Sequence, residues 1–487
     1  MDFLDPKKQK AHTIRLRVGY VLIGLAILLA TTILLYQARG YVIDRHGRVI
    51  QNGLIFLSSQ PEGADIYANN KMVDGTNARM VLPAGQYVFE LKRTGYRDWK
   101  RGITIEGGSV QRFDYPFLFP TSLKTSVAKQ YGGAPGFSTQ SLDRRWLMVQ
   151  TGANDFDLYD LRDEAPVPDS FTISPEVLSA GSVTTSWQTI EWSDDDRHVV
   201  LSRLFTKDGQ PGREYILVDR EKPAETINLS VLLGFTPTTL QLRDQAYDQY
   251  YLFDQPNGAL LTASIEKPTP QPYLSRVLAF KAHGKNTVVY ATNKDMPADK
   301  ASVRVRDGDQ TFTIRQVAVS PTYLLDINRF DDNWFVAAGS ANEDRVYVYK
   351  NPMDRLREVS NSAPVPSQVL KVVAPNYLSF STNGRYVVLE SADSFAVYDA
   401  KTDKGYAYQS KLPIDPGIGH ATWIDGYHLS IVSGGQLAVM DFDGTNQQQL
   451  VPSSPAFAPF FTPDFKRLYT LADSALTITP LRTPEDL

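Results

Sequence analysis

Six histidines, 54 acidic side chains and no cysteine limit the chemistry this 487-residue chain can perform. Without cysteine there is no disulfide, no thiolate metal site, no covalent haem attachment and no thiol nucleophile. His12, His46, His198, His283, His420 and His428 are scattered, and no HExxH or HxH string occurs. Only His420 and His428, which flank Trp423, stand close enough to meet as a metal or acid–base pair. Loop and turn duty is the plainer role for both. Asp194-Asp195-Asp196 and Asp441-Phe442-Asp443-Gly444 could offer oxygens to Ca²⁺, but neither runs on to the bidentate Glu of a calcium loop. Asp-Gly is also an ordinary hairpin pair, and Asp307-Gly308-Asp309 is a turn of the same kind. Paired carboxyls for glycoside cleavage, about 5–10 Å apart, could come from distant segments and leave no sequence trace. Gly132-Gly133 and Gly434-Gly435 lack the strand-to-helix setting of a phosphate loop, and there is no G-x-S-x-G elbow. No catalytic residue, metal ligand or cofactor site is assigned.

These residues must be positioned by strands. Residues 378–401 (LSFSTNGRYVVLESADSFAVYDAK) hold three short apolar runs separated by turn signals, with a fourth run at 405–409. Related units begin near Phe137, Ile190, Leu240, Val277, Leu325, Ala421 and Phe457. Their spacing of roughly 35–53 residues suits four-stranded propeller blades. The last unit lacks a clear fourth strand, and residues 122–132 (SLKTSVAKQYG) are expected to supply it and close the ring. That count gives eight blades, with seven as the alternative because the unit near Leu240 has weak turn signals. Short helices are expected at Ser174-Pro175-Glu176 and over residues 353–359. Where the copies differ, at residues 161–186 and in a loop at 206–214, any specificity is expected to lie.

The composition is that of a globular protein: 42% apolar and 21% charged residues, with a net charge of −4 that argues against a nucleic-acid partner. Residues 18–36 (VGYVLIGLAILLATTILLY) carry no charge and are long enough to span a bilayer. Lys7, Lys8, Lys10, Arg15 and Arg17 precede them, against Arg39, Arg45 and Arg48 after, which favours a cytoplasmic start. A cleaved signal peptide is the alternative, but Tyr36-Gln37-Ala38 is a poor cleavage site.

Residues 53–119 read as a small β-sandwich, with Trp99 as a core residue and Asn69-Asn70, Pro83-Ala84-Gly85 and Thr94-Gly95-Tyr96 as turns. Pro61-Glu62-Gly63-Ala64 and the segment 82–96 (LPAGQYVFELKRTGY) resemble the PEGA domain family, with Gly63 and Gly85 as turn glycines and Tyr87 as core aromatic. That resemblance implies a bacterial surface module tethered behind a membrane helix, with no chemistry of its own. Residues 380–399 and 461–478 resemble TolB-like and YVTN-type propeller repeats in degraded form, through Ser193-Asp194-Asp195-Asp196, Ser381-Thr382-Asn383-Gly384 and Thr462-Pro463-Asp464.

The expected fold is all-β: a basic cytoplasmic tail (1–17), a transmembrane helix (18–36), a stalk (37–52), a PEGA sandwich (53–119) and a β-propeller (120–487). The expected function is a non-catalytic binding or scaffold protein of the bacterial cell envelope, with its C-terminal domains extracytoplasmic and a protein or glycan as ligand. The alternative is a surface glycan hydrolase or lyase. A cytoplasmic-facing sensor or scaffold would need the opposite topology.

Overall fold

The computed structural model describes residues 6–38, 40–43, 49–358, 363–417 and 419–486. It divides into two compact units, one running to Ser122 together with Thr483–Asp486, the other spanning Leu123–Arg482.

Unit one begins with the helix Pro6–Ala38, longer at both ends than the uncharged run. Val21, Leu22 and Ile27 project at different bearings around its axis and are all exposed. The stretch His12–Ala38 is long and apolar enough to cross a membrane. Thr32 donates its hydroxyl to the Leu28 carbonyl at 2.8 Å, so even this polar side chain is satisfied within the helix.

Two four-stranded sheets follow. In the first, Val49–Leu57 pairs antiparallel with Ala78–Pro83 on one edge; on the other it meets Tyr41–Ile43 antiparallel and Val110–Phe113 in parallel. The segment expected as a stalk thus contributes strand Tyr41–Ile43 and the start of Val49–Leu57. The second sheet runs Lys71–Gly75, Asp65–Ala68, Gly85–Lys92, Trp99–Ile105. Its last strand buries every second residue: Trp99, Arg101, Ile103 and Ile105. Trp99 is fully buried, edge-on to Tyr115 at 6.1 Å.

Among the described residues, unit two contains eight four-stranded antiparallel sheets, over residues 138–172, 183–228, 239–274, 277–318, 323–371, 377–409, 422–452 and 460–480. The eighth takes its outer strand from Ser126–Gln130, which pairs with Ala475–Pro480 through Gln130↔Ala475 and Ser126↔Ile478. The second strands carry buried apolar runs, as at residues 199–201, 288–289 and 387–389, because both faces are covered. In His198–Lys207, Val199 and Leu201 pack towards the first sheet, while Val200 packs towards the third. Tyr251 and Val288 join the third sheet to the fourth, Val289 and Val336 the fourth to the fifth, and Phe335 and Val387 the fifth to the sixth. Tyr386 stacks on Phe442 at 4.0 Å between the sixth and seventh. Ser454 N–H donates to the Leu471 carbonyl at 2.9 Å, linking seventh to eighth. Leu147 and Tyr159 of the first sheet share a core with Tyr469 and Leu476 of the eighth. This is β-propeller architecture.

Turn chemistry fixes the hairpins. Gly384 sits at φ +72, and a Cβ there would lie 2.3 Å from the Arg329 carbonyl oxygen, so the position takes only glycine. Ser174-Pro175-Glu176 departs from expectation: Val177 and Leu178 N–H close i→i+3 turns on Ser174 and Pro175, and no helix follows. The next residues are drawn into a polar anchor described below instead of a helical turn. The other short helix is present as Pro352–Glu358.

Removing the side chain that joins the last sheet to the first should be costly. Leu476→Ala is expected to lower stability by about 2–5 kcal/mol, whereas Val127→Ala, on the exposed outer strand, should change it by less than about 0.5. Chemical denaturation of both variants checks this; equal effects would show that the shared core does not hold the ends together.

Candidate functional site

The histidines marked by sequence do not gather. His198 Nδ1 meets the Asp195 carboxylate and its ring stacks on Tyr247 at 4.0 Å. His283 sits edge-on to Trp334 at 5.3 Å, and burial holds its pKa below the usual value. His420 stacks on Tyr377 at 3.7 Å, with Nδ1 3.0 Å from the Ala421 carbonyl. His428 is buried with Nδ1 2.7 Å from Asp425 and Nε2 3.5 Å from Asp441. Burial alone would lower its pKa, but those two carboxylates outweigh it and push it up to about 8. His12 lies on the exposed helix, and His46 falls outside the described residues. Among the described residues no group of three or more His, Asp or Glu side chains is arranged to hold a metal ion.

The acidic clusters belong to a repeated turn. Asp143, Asp195, Asn383, Asp425 and Asp464 follow the first strand of five sheets. Each side chain accepts the N–H two residues on, at Arg145 (2.9 Å), Arg197 (2.9 Å), Arg385 (3.1 Å), Tyr427 (2.6 Å) and Lys466 (3.0 Å). In three of these sheets the arginine then grips an Asp ending the third strand. Arg145 holds Asp160 at 2.9 and 2.7 Å, Arg385 holds Asp399 at 2.8 and 2.7 Å, and Arg197 holds Asp219 in the same way. In the seventh sheet Tyr427 replaces the arginine, and His428 faces the corresponding Asp441. Asp441 also accepts from Asn446 Nδ2 at 2.8 Å, and Asp443 from Thr445 Oγ1 at 2.7 Å. Gly434 and Gly435 form a hairpin turn, both at positive φ, with their N–H groups on the Asp415 carboxylate at 2.8 Å.

Glu191, Gln241 and Asp326, which the sequence did not single out, lie on inner strands. Gln140, Thr189, Thr382, Trp423 and Phe460, from five sheets, border one cavity of about 360 Å³. Around it, side chains of inner strands clip neighbouring inner strands. Glu191 Oε2 accepts Leu242 N–H (2.9 Å), Gln241 exchanges bonds with the backbone of Ala282 (3.1 and 3.2 Å), and Asp326 Oδ2 accepts Phe380 N–H (2.8 Å). Trp423 Nε1 donates to Ser379 Oγ (3.2 Å) and Gln140 Nε2 to the Phe461 carbonyl (2.9 Å). Lys281, exposed on the fourth sheet, acts electrostatically on both Glu191 and Asp326. Burial pushes Glu191 up to about 7, partly offset by the Leu242 N–H and Lys281; it raises Asp326 likewise. Glu390, on the second strand of the sixth sheet, accepts Ala421 N–H on both oxygens (3.0 and 3.1 Å) and is pushed up to about 8 by burial. The available sequence signal was an acid set between apolar residues of a strand, as Asp326 between Leu325 and Ile327.

The segments where the copies differ are more ordered than expected. Residues 161–186 include the strand Asp169–Thr172 and the start of Val183–Trp192. Residues 206–214 are not a loop: they end His198–Lys207, turn at Asp208-Gly209 and enter Gln210–Asp219. Pairing runs to Lys207↔Gln210 because alternating side chains continue past the shared blade. At the base, Arg203 and Glu214 are 1% and 2% exposed and ion-paired. Glu214 also accepts from Ser179 Oγ and Asn228 Nδ2, both at 2.7 Å, and Arg203 donates to Thr184 Oγ1 and Ser182 Oγ. This network pins residues 179–184 and explains the missing helix.

Residues 52–118 match the PEGA domain. The chain therefore combines a PEGA domain with a propeller. Solved structures similar to it include the C-terminal WD40 domain of Sif2 (12% identity, TM-score 0.45, covering 74% of this chain and 99% of that one). Others are the dihydro-heme d1 dehydrogenase NirN in complex with DHE (14%, 0.41, 66% and 67%) and Kluyveromyces lactis Hsv2p (10%, 0.40, 66% and 100%). These likenesses are too slight to carry function across. No curated protein matches the chain.

The raised carboxyls fix the sign of a pH effect. A carboxyl whose folded pKa lies above its unfolded value binds more protons when folded, so its share of stability is present at low pH. That share is lost as pH rises, here from about 4.5 through 7 for Glu191 and 8 for Glu390. Glu191→Gln and Glu390→Gln are each expected to flatten the decline of the denaturation midpoint across that window. An unchanged pH profile in both would show that these carboxyls titrate normally.

Proposed function

We propose that the chain is a bacterial cell-envelope protein anchored by residues 18–36 of the helix Pro6–Ala38, with residues 1–17 cytoplasmic. Its PEGA domain and an eight-bladed, TolB-like propeller stand outside the cytoplasm and bind a protein or glycan without catalysis. One observation carries the non-catalytic reading: Glu191, Asp326 and Glu390, the central acids with raised pKa, each already accept a backbone N–H from a neighbouring sheet. A hydrolase or lyase needs two such groups free to converge on one bond. Here they act as clips.

The apolar surface of residues 18–36 of the helix and the basic residues in its first turns support anchoring and orientation. The hairpin of the second sheet supports the binding role. Its strands are ten residues long, against six for Tyr386–Ser391 and Ser394–Asp399, so its tip extends about 13 Å further at ~3.3 Å per residue. Lys207, Asp208, Gly209 and Gln210 at that tip are exposed. A projecting rigid hairpin offers a contact surface at little entropic cost.

Two measurements test the proposal. Protease added to intact cells should degrade residues 53–480, and their protection would overturn the topology. The soluble region 40–487, probed on glycan arrays and by cross-linking in envelope fractions, should lose its ligand at least tenfold in Lys207→Glu/Gln210→Glu but not in Glu191→Gln. Polysaccharide cleavage abolished by Glu191→Gln or Asp326→Asn would instead establish the hydrolase reading.

A further inference from the structure

Thr483–Asp486 belong to unit one, packed against the turn Arg93-Thr94-Gly95-Tyr96. That turn is closed by Tyr96 N–H donating to the Arg93 carbonyl at 3.0 Å, with Gly95 at φ +82. Thr121 donates both its N–H and its hydroxyl to the Gly95 carbonyl, at 2.9 and 3.1 Å, which holds the turn from behind. Tyr96 is 4% exposed, and its hydroxyl is the centre of the contact. It donates to Asp486 Oδ2 at 2.6 Å and accepts the N–H of Thr483 at 2.9 Å. Arg93 pairs with Asp486 Oδ1, and its guanidinium lies 5.3 Å from the centre of the Tyr96 ring.

The incoming segment is organised to fit. Thr483 Oγ1 donates to Asp486 Oδ2 at 3.0 Å, and Asp486 N–H returns to the Thr483 carbonyl at 2.9 Å, so Thr-Pro-Glu-Asp forms a self-bonded turn. Proline at the second position favours that turn. The Thr483 methyl lies 3.2 Å from where a Cβ on Gly95 would stand, so shape and charge are read together. A carboxylate held by guanidinium and hydroxyl, with a backbone N–H taken by the same hydroxyl, is how proteins read a short acidic peptide.

We propose that the Arg93–Tyr96 turn of the PEGA domain is a recognition site for Thr-Pro-x-Asp peptide turns. Residues 483–486 occupy it in cis, and a peptide of that chemistry takes it in trans once they are displaced. The cis segment competes at an effective concentration of about millimolar, so the site is silent to weak peptides in the intact chain. This does not depend on the membrane or propeller-face reading.

The probe is a synthetic peptide with the sequence of residues 481–487, titrated against the full chain in detergent. Asp486→Asn is expected to bind it at least tenfold more tightly than wild type, and adding Arg93→Ala should remove the binding. A chain ending at residue 482 serves as a second released form, with thermal melts confirming that both are folded. Equal binding to wild type and released forms, no binding to either released form, or binding indifferent to Arg93→Ala would each overturn the proposal.

Discussion

A sheet of four short strands with apolar residues on both faces cannot stand alone in water. Tyr386–Ser391 is buried at five of its six positions, and His428–Ser433 at all six. Each fully buried aliphatic or aromatic side chain gains about 1.5–3 kcal/mol relative to exposure, and each sheet can realise that gain only between two neighbours. Stacking in a line would leave two bare faces. Packing the eighth sheet on the first, through Leu147, Tyr159, Tyr469 and Leu476, removes both.

That packing dictates where polar groups can go. In five of the sheets the inner strand ends in a tight turn, and an Asp or Asn there accepts an N–H that the turn leaves unpaired. The third strand ends beside it, so an arginine at the start of the second strand can close Arg145–Asp160, Arg197–Asp219 and Arg385–Asp399. The inner strands of neighbouring sheets share no ladder, and side chains of Glu191, Gln241 and Asp326 bridge them instead. Much of the acidic chemistry visible in the chain is thereby committed to holding strands.

The repeat was legible because it is local. Turn pairs such as Asn383-Gly384 and strand patterns such as 386–391 are written within a few residues of one another. The fourth strand of the last sheet was legible for a similar reason: the final unit was one strand short, and residues 126–130 had no sheet of their own. The central cluster was not legible. Glu191, Lys281 and Asp326 come from the second, fourth and fifth sheets, and nothing local marks them as neighbours. The helix expected after Ser174 failed because a capping signature is weak against the buried Arg203–Glu214 pair, which takes Ser179 into its own network. The contact of Thr483 and Asp486 with Tyr96 was equally invisible, since it joins segments separated by the whole second unit.

The outer strand Ser126–Gln130 carries a consequence for how the molecule is made. During synthesis it is among the first parts of unit two to leave the ribosome, yet its partner Ala475–Pro480 is among the last. Until then the eighth sheet has no outer edge and the first lacks its neighbour, so the growing chain displays an unpaired strand and an open apolar face. Contacts of such sequence separation form slowly, and exposed edges invite pairing with other chains. The exposed residues of Ser126–Gln130, with Lys129 among them, give that waiting strand a polar, charged edge while it remains single.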